Sequence, residues 1–143
     1  MILQIQQDEF SLPISIKDQP DLEDIENFYQ KNGNFWVALD DDKVVGTTAL
    51  ISIGNGDGTL RKMFVKKEYR GKDKGISSSL LSFLLNWAGE NNYKRIFLGT
   101  TPQFLAAHRF YEKNNFINIQ KEDLPETFPV MKVDKIFYRY IIK

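Results

Sequence analysis

The run MFVKKEYRGKDKGISSSLLSFLL, from Met63 to Leu85, constrains the fold more than any other stretch of this sequence. It changes period part-way. Met63, Phe64 and Val65 close an extended, β-type segment, whereas Ile76, Leu80, Leu84 and Ala88 recur at helical spacing. Between them Arg70 to Gly75 form a turn with two glycines and three cations. A helix that starts behind such a turn has unpaired backbone N–H groups at its first residues. Its dipole places partial positive charge at the same end, so phosphate is the natural ligand. Alone, an RGKDKG turn is more often merely solvated, and its surroundings decide the matter.

Those surroundings read as a chain of short strands that passes into alternating strands and helices. Ile2 to Gln6 alternates as a strand. Asp18 to Asn32 reads as a helix, with Pro20 near its start, Leu22, Ile25, Phe28 and Tyr29 as its apolar stripe, and Asn32-Gly33 as its stop. Asn34–Leu39 and Val44–Ile53 form a hairpin about Asp40 to Asp42, and the Gly54–Gly58 turn leads into a Leu60–Val65 strand. After the glycine loop come a helix (Ile76–Asn91), a strand (Arg95–Leu98), a second helix (Pro102–Asn114) and a strand (Phe116–Ile119). Thr101 is the expected N-cap of that second helix, with Pro102 at its first position, and Asn114-Asn115 its stop. Gln120 to Asp134 is a long loop, and Ile136–Ile142 a last strand. Antiparallel strands first and crossovers later predict an α+β chain whose mixed sheet is covered on both faces.

Composition removes several function classes. A length of 143 residues predicts one domain, and 42% hydrophobic residues predict a packed core rather than disorder. Nineteen basic and nineteen acidic residues cancel, so neither a nucleic-acid footprint nor a basic membrane surface is expected. With no cysteine and one histidine, His108, a thiolate nucleophile and a cysteine- or histidine-rich metal site fall away, and no metal is expected. The opening MILQIQQDEF lacks a cationic region followed by a long apolar run, so a soluble, cytoplasmic protein is expected.

About thirty residues beyond the glycine loop lies AAHRFYEKNNF, Ala106 to Phe116. The loop and its helix resemble motif A of the GNAT family of N-acetyltransferases, an Arg/Gln-x-x-Gly-x-Gly/Ala pattern after a strand. Ala106 to Phe116 resembles that family's motif B, A-x-x-F-Y-x-x-x-G-F. The two stand in the family's order with the strand KRIFLGT between them, and the resemblance runs from about Phe35 to Phe116. It implies the acyl-CoA N-acyltransferase fold, a three-layer α/β/α arrangement about a mixed, mostly antiparallel sheet. It also implies acetyl transfer from acetyl-CoA, as co-substrate, to a primary amine of a small molecule or peptide. Attack would be direct, without a covalent enzyme intermediate. The family also admits a homodimer.

Site residues follow from the same resemblance. Met63, Phe64 and Val65 match the strand whose backbone pairs with the pantetheine arm and polarises the thioester carbonyl. Arg70, Gly71, Lys72, Lys74, Gly75, Ile76, Ser77 and Ser78 match the pyrophosphate loop and the helix start behind it. Counted from the helix, Gly75-Ile76-Ser77 matches the family's Gly-Ile-Gly/Ala, and the loop then carries about two extra residues. Asp73 is expected to point outward. Tyr111 matches the tyrosine that protonates the departing thiolate. Two departures stand out. Phe104 replaces the asparagine usual seven residues before that tyrosine, and Thr59 replaces the acid often found on the strand before motif A.

The general base therefore stays open between Asp57, nearby hydroxyls and a water chain to solvent. His108 is a further titratable group near Tyr111. Asp18, Asp21, Glu23, Asp24 and Glu26 could attract a cationic amine or simply compensate a helix dipole. Two other readings compete with the enzyme. One is a non-catalytic acyl-CoA-binding module, a sensor or structural domain that would not depend on Tyr111. The other is a nucleotide-binding domain, which is weaker because the glycines do not open a βαβ unit.

Overall fold

The computed structural model describes residues 33–69, 75–103, 105–130 and 134–142. The expected strand over 2–6, the helix over 18–32, the loop residues Arg70 to Lys74 and Phe104 lie outside them. The described residues form six strands and two α-helices: β1 (Gly33–Asp40), β2 (Lys43–Gly54), β3 (Asp57–Val65), α1 (Ile76–Glu90), β4 (Arg95–Thr100), α2 (Leu105–Lys113), β5 (Ile117–Ile119) and β6 (Ile136–Ile141). The strands form one sheet in the order β1-β2-β3-β4-β6-β5. The β1–β2, β4–β6 and β5–β6 pairs are antiparallel and β3–β4 is parallel, so the sheet is mixed, as expected.

Of the described residues, 33–51, 61–69 and 75–87 pack as one compact unit. Its hairpin turns through Asp41 and Asp42, both at positive φ, the conformation a two-residue primed turn requires. Alternation along the hairpin splits its faces. Phe35 packs on Ala49 and Ile51 on one side, while Trp36 meets Trp87 of α1 edge to face on the other, 5.7 Å between ring centres. Gly46 lets α1 approach, because a Cβ there would lie 3.1 Å from Leu80 Cδ1 and 3.2 Å from Ile76 Cγ2. The helix buries Leu80, Leu84 and Ala88 of the stripe its spacing predicts, together with Leu81, while Ile76 at its start is half-buried.

The described residues of 52–60, 88–103, 105–130 and 134–142 pack as a second unit. β3 enters it as a parallel partner of β4 over Asp57↔Arg95, Gly58↔Ile96 and Thr59↔Phe97. β6 lies against β4 over six pairs, from Arg95↔Ile141 to Thr100↔Ile136, and carries β5 on its other edge. One face of these strands holds Phe97 and Phe137, closed by Phe128 together with Ile53, Ile119 and Leu124. Burying each such phenylalanine contributes about 1.5–3 kcal/mol. The opposite face packs against α2, with Tyr138 on Tyr111 and Phe116 on Tyr140. Asn92 and Asn115 end the two helices in the left-handed conformation, and Phe116 N–H bonds back to Tyr111 O at 3.0 Å.

Three expectations need correction. The Gly54–Gly58 turn is shorter than read: Asn55 and Gly56, at φ +58° and +77°, close a two-residue hairpin, and Asp57 and Gly58 already belong to β3. The second helix starts at Leu105 rather than Pro102. Thr101 does not cap it: its hydroxyl is buried with no hydrogen-bond partner among the described residues, while its carbonyl is engaged by His108. The Gln120–Asp134 loop is not featureless. It opens on a one-turn 3-10 helix, Lys121–Asp123, where Gln120 N–H donates to the Asp123 carboxylate at 3.2 Å, and it buries Phe128.

Candidate active site

In the first unit, the segment Met63–Val65 is introduced by an irregularity that the sequence does not announce. Lys62 has φ +57° inside β3, where a non-glycine residue is unusual, yet it is buried. Its carbonyl accepts a 2.6 Å hydrogen bond from the Thr47 hydroxyl, which holds the kink from the neighbouring strand. Beyond Val65 the chain stays pinned, since Lys66 N–H donates to Val45 O at 2.8 Å.

At the start of α1, Gly75 occupies φ +62°, a conformation that favours glycine. Its carbonyl accepts Ser79 N–H at 3.0 Å, so it is the residue immediately before the helix. Among the described residues nothing lies within 4 Å of where a Cβ would stand. Gly75 thus stands at the positive end of the helix dipole, where a phosphate would be favoured. Ile76 and Ser77 are half-buried there, and Ser78 is exposed. Arg70, Gly71, Lys72 and Lys74 lie outside the described residues.

In the second unit, α2 turns Tyr111 inward. Tyr111 is buried among Phe110, Phe116 and Tyr138, with ring centres 5.8, 5.5 and 5.9 Å away. Burial, aided by neighbouring Tyr138, pushes its phenol well above the usual tyrosine range, so it keeps its proton at neutral pH. Tyr138 is buried beside it and donates to Glu112 Oε2 at 2.6 Å; burial and this bond push Tyr138 up to about 12. His108 is half-buried, and its Nε2–H donates to Thr101 O at 2.8 Å, which leaves Nδ1 free of that bond. Its ring lies 6.2 Å from that of Tyr138. His108, Tyr111, Tyr138 and Glu112 are thus gathered on one side of the sheet, and sequence reading had only the first two.

Asp57, an open choice for the general base, is otherwise employed. Its carboxylate is buried and takes a two-point contact from Arg95, with Nε to Oδ1 at 2.7 Å and Nη2 to Oδ2 at 2.9 Å. A carboxylate held this way is one half of a structural ion pair. Thr59, beside it on β3, is buried. Among the described residues no cluster of three or more His, Asp or Glu side chains could hold a metal ion.

The model of the "Acetyltransferase (GNAT) family" matches residues 1–116, which include both sequence motifs. The chain belongs to this family. It is 41% identical over 104 residues to N-acetylaspartate synthetase of Xenopus tropicalis, an alignment covering 69% of this chain and 37% of that protein. The chain therefore spans little more than a third of that relative. Among solved structures, a GNAT-family acetyltransferase from Staphylococcus aureus Mu50 superposes with a TM-score of 0.96 at 42% identity, covering 99% of this chain and 89% of the other. An acetyltransferase from Streptococcus agalactiae 2603 superposes at 0.92 with 31% identity, over 98% and 87%. The GNAT fold implied by the two motifs is thus the fold found. Among the described residues no helix is long and apolar enough to cross a membrane.

Proposed function

We propose that this protein is an N-acetyltransferase that moves an acetyl group from acetyl-CoA to a primary amine by direct attack. The observation that carries the reading is the family match across residues 1–116, which spans the glycine loop, α1 and the Tyr111 helix. Acetyl-CoA supplies the activated thioester. The backbone of Met63, Phe64 and Val65 holds its pantetheine arm. Arg70, Gly71, Lys72, Lys74, Gly75, Ile76, Ser77 and Ser78 receive its pyrophosphate, and the place of Gly75 at the positive end of the α1 dipole supports that assignment. Tyr111, with its proton retained by burial, donates to the leaving thiolate.

The acceptor is a small molecule or a peptide amine. A relative named for N-acetylaspartate puts carboxylated amines at the head of a screen. Purified protein, acetyl-CoA and a panel of amino acids, polyamines and peptides, followed by free-thiol release, tests the reaction. Tight acetyl-CoA binding with no thiol release from any acceptor would instead favour the non-catalytic acyl-CoA module.

The cofactor assignment has its own check. Proline fixes φ near −65° and carries no N–H, whereas Gly75 stands at +62°. Gly75→Pro is expected to weaken acetyl-CoA binding about 10- to 100-fold, the worth of a charge-assisted backbone hydrogen bond and its geometry. Calorimetric titration reads the affinity and circular dichroism the fold. Unchanged affinity in a folded variant would remove the loop from the site.

A further inference from the structure

α2 is nine residues long, and Tyr111 is its one buried residue. Isolated helices of that length are marginal in water, so tertiary contacts have to hold it. A single buried ring fixes where a helix sits and does little to fix its rotation. Three contacts that do fix it converge on Tyr138 of β6. This tyrosine is 2% exposed and stands between Leu98 of β4 and Asn118 of β5 in the register of the sheet. Its ring lies 6.2 Å from that of His108 and 5.9 Å from that of Tyr111. Its hydroxyl donates to Glu112 Oε2 at 2.6 Å. Tyr138 thus meets α2 at positions 108, 111 and 112, which share one helix face.

The bond to Glu112 differs in kind from the ring contacts. A hydroxyl donating to a carboxylate at this distance makes a charge-assisted, directional bond. Glu112 is itself exposed, yet its carboxylate is drawn onto a buried phenol instead of into water. Because Glu112 directly follows Tyr111, pinning its carboxylate pins the turn of helix that carries the Tyr111 ring. Three residues before Tyr111, His108 bonds the Thr101 carbonyl at 2.8 Å and ties the same helix to the end of β4. Tyr111 is therefore bracketed by anchors to two strands. Proton transfer needs hydrogen-bond reach, and a misplacement of about 1 Å can cost about 10²-fold in rate.

We propose that Tyr138 is a positioning residue: anchored through Glu112, it sets the rotation of α2 and so aims the Tyr111 phenol for proton transfer. This rests on the acetyltransferase reading and adds to it a residue that touches neither cofactor nor acceptor.

Thiol release with the amine panel is compared for the parent, Tyr138→Phe, Glu112→Ala and Glu112→Gln. Tyr138→Phe keeps the ring and is expected to lower kcat about 10- to 100-fold, with KM for acetyl-CoA within about twofold. Glu112→Ala, a change at an exposed position, should match it. Glu112→Gln keeps a carbonyl acceptor and should lose less. In a Tyr111→Phe background neither Tyr138→Phe nor Glu112→Ala should lower kcat further, because each acts through the Tyr111 hydroxyl. An equal loss with and without that hydroxyl, or an unchanged kcat in the folded single variants, overturns the proposal and leaves the enzyme reading standing. A second readout needs no turnover. In protein labelled with carbon-13 at tyrosine Cζ, the Tyr111 signal is identified by its absence from Tyr111→Phe. Equal displacements of that signal in Tyr138→Phe and Glu112→Ala, no larger when the two are combined, support the proposal. Absent or additive displacements overturn it. If no amine is acetylated, the enzyme reading fails, and this signal alone decides whether the pair orients Tyr111.

Discussion

Tyr111→Phe is expected to lower turnover about 10²–10⁴-fold, the usual range for losing a positioned general acid. The ring contacts with Phe116 and Tyr138, at 5.5 and 5.9 Å, survive the change, so the fold and acetyl-CoA affinity should hold. Only the hydroxyl is removed. Because burial raises the Tyr111 phenol above its ordinary range, the proton-bearing form persists through neutral and mildly alkaline solution. The parent rate should therefore not decline in that range through loss of this proton. Steady-state thiol release across pH, on parent and variant with the best acceptor of the panel, checks both statements. A loss of less than tenfold would mean that water or another group protonates the thiolate, or that chemistry does not limit the rate.

The largest stability effect is expected at Arg95. Its partner Asp57 is only 3% exposed, whereas the Arg95 side chain is 46% exposed. Arg95→Met leaves the carboxylate buried without its two-point partner, and also removes a cation 5.7 Å from the centre of the Phe97 ring. Breaking such a pair from the exposed side should cost about 3 kcal/mol, at the low end for buried ion pairs. That corresponds to a fall in Tm of about 6–12 °C for a chain of this size. Asp57→Asn added to Arg95→Met should recover part of the loss, since a buried amide is cheaper than a buried charge. Urea unfolding of the two single variants and the double variant closes the cycle. Losses that simply add would show that the pair is not a unit.

Local chemistry was legible, and long-range compensation was not. The spacing of Leu80, Leu84 and Ala88 marked α1 to within one residue of its end. Asp41-Asp42 and Asn115 marked a turn and a helix stop, because short polar side chains tolerate the left-handed conformation. Asp57 was misplaced into a turn for an equally physical reason. A charged residue beside glycines reads as solvated, and its compensation by Arg95 comes from 38 residues away. Thr101-Pro102 has the local signature of a helix start, but His108 claims the Thr101 carbonyl and the helix begins later. Lys62 offered no signal, since lysine has no preference for positive φ and its conformation is imposed by Thr47 on the adjacent strand. At the candidate site, Tyr111 was found by its motif, whereas Tyr138 and Glu112 were missed because only sheet register brings β6 to α2.

The edge-to-face pair of Trp36 and Trp87 turns this protein into its own spectroscopic instrument. They are the only two tryptophans in the chain, and both belong to the unit that contains the hairpin and α1. Intrinsic indole emission therefore watches that unit alone and is blind to the one that holds Tyr111 and Tyr138. Coupled indoles at 5.7 Å should also give a signed near-ultraviolet dichroic signal that disappears when α1 leaves the hairpin. Melting curves recorded by indole emission and by tyrosine absorbance would then superpose if the chain unfolds in one cooperative step, and separate if its two parts come apart in turn.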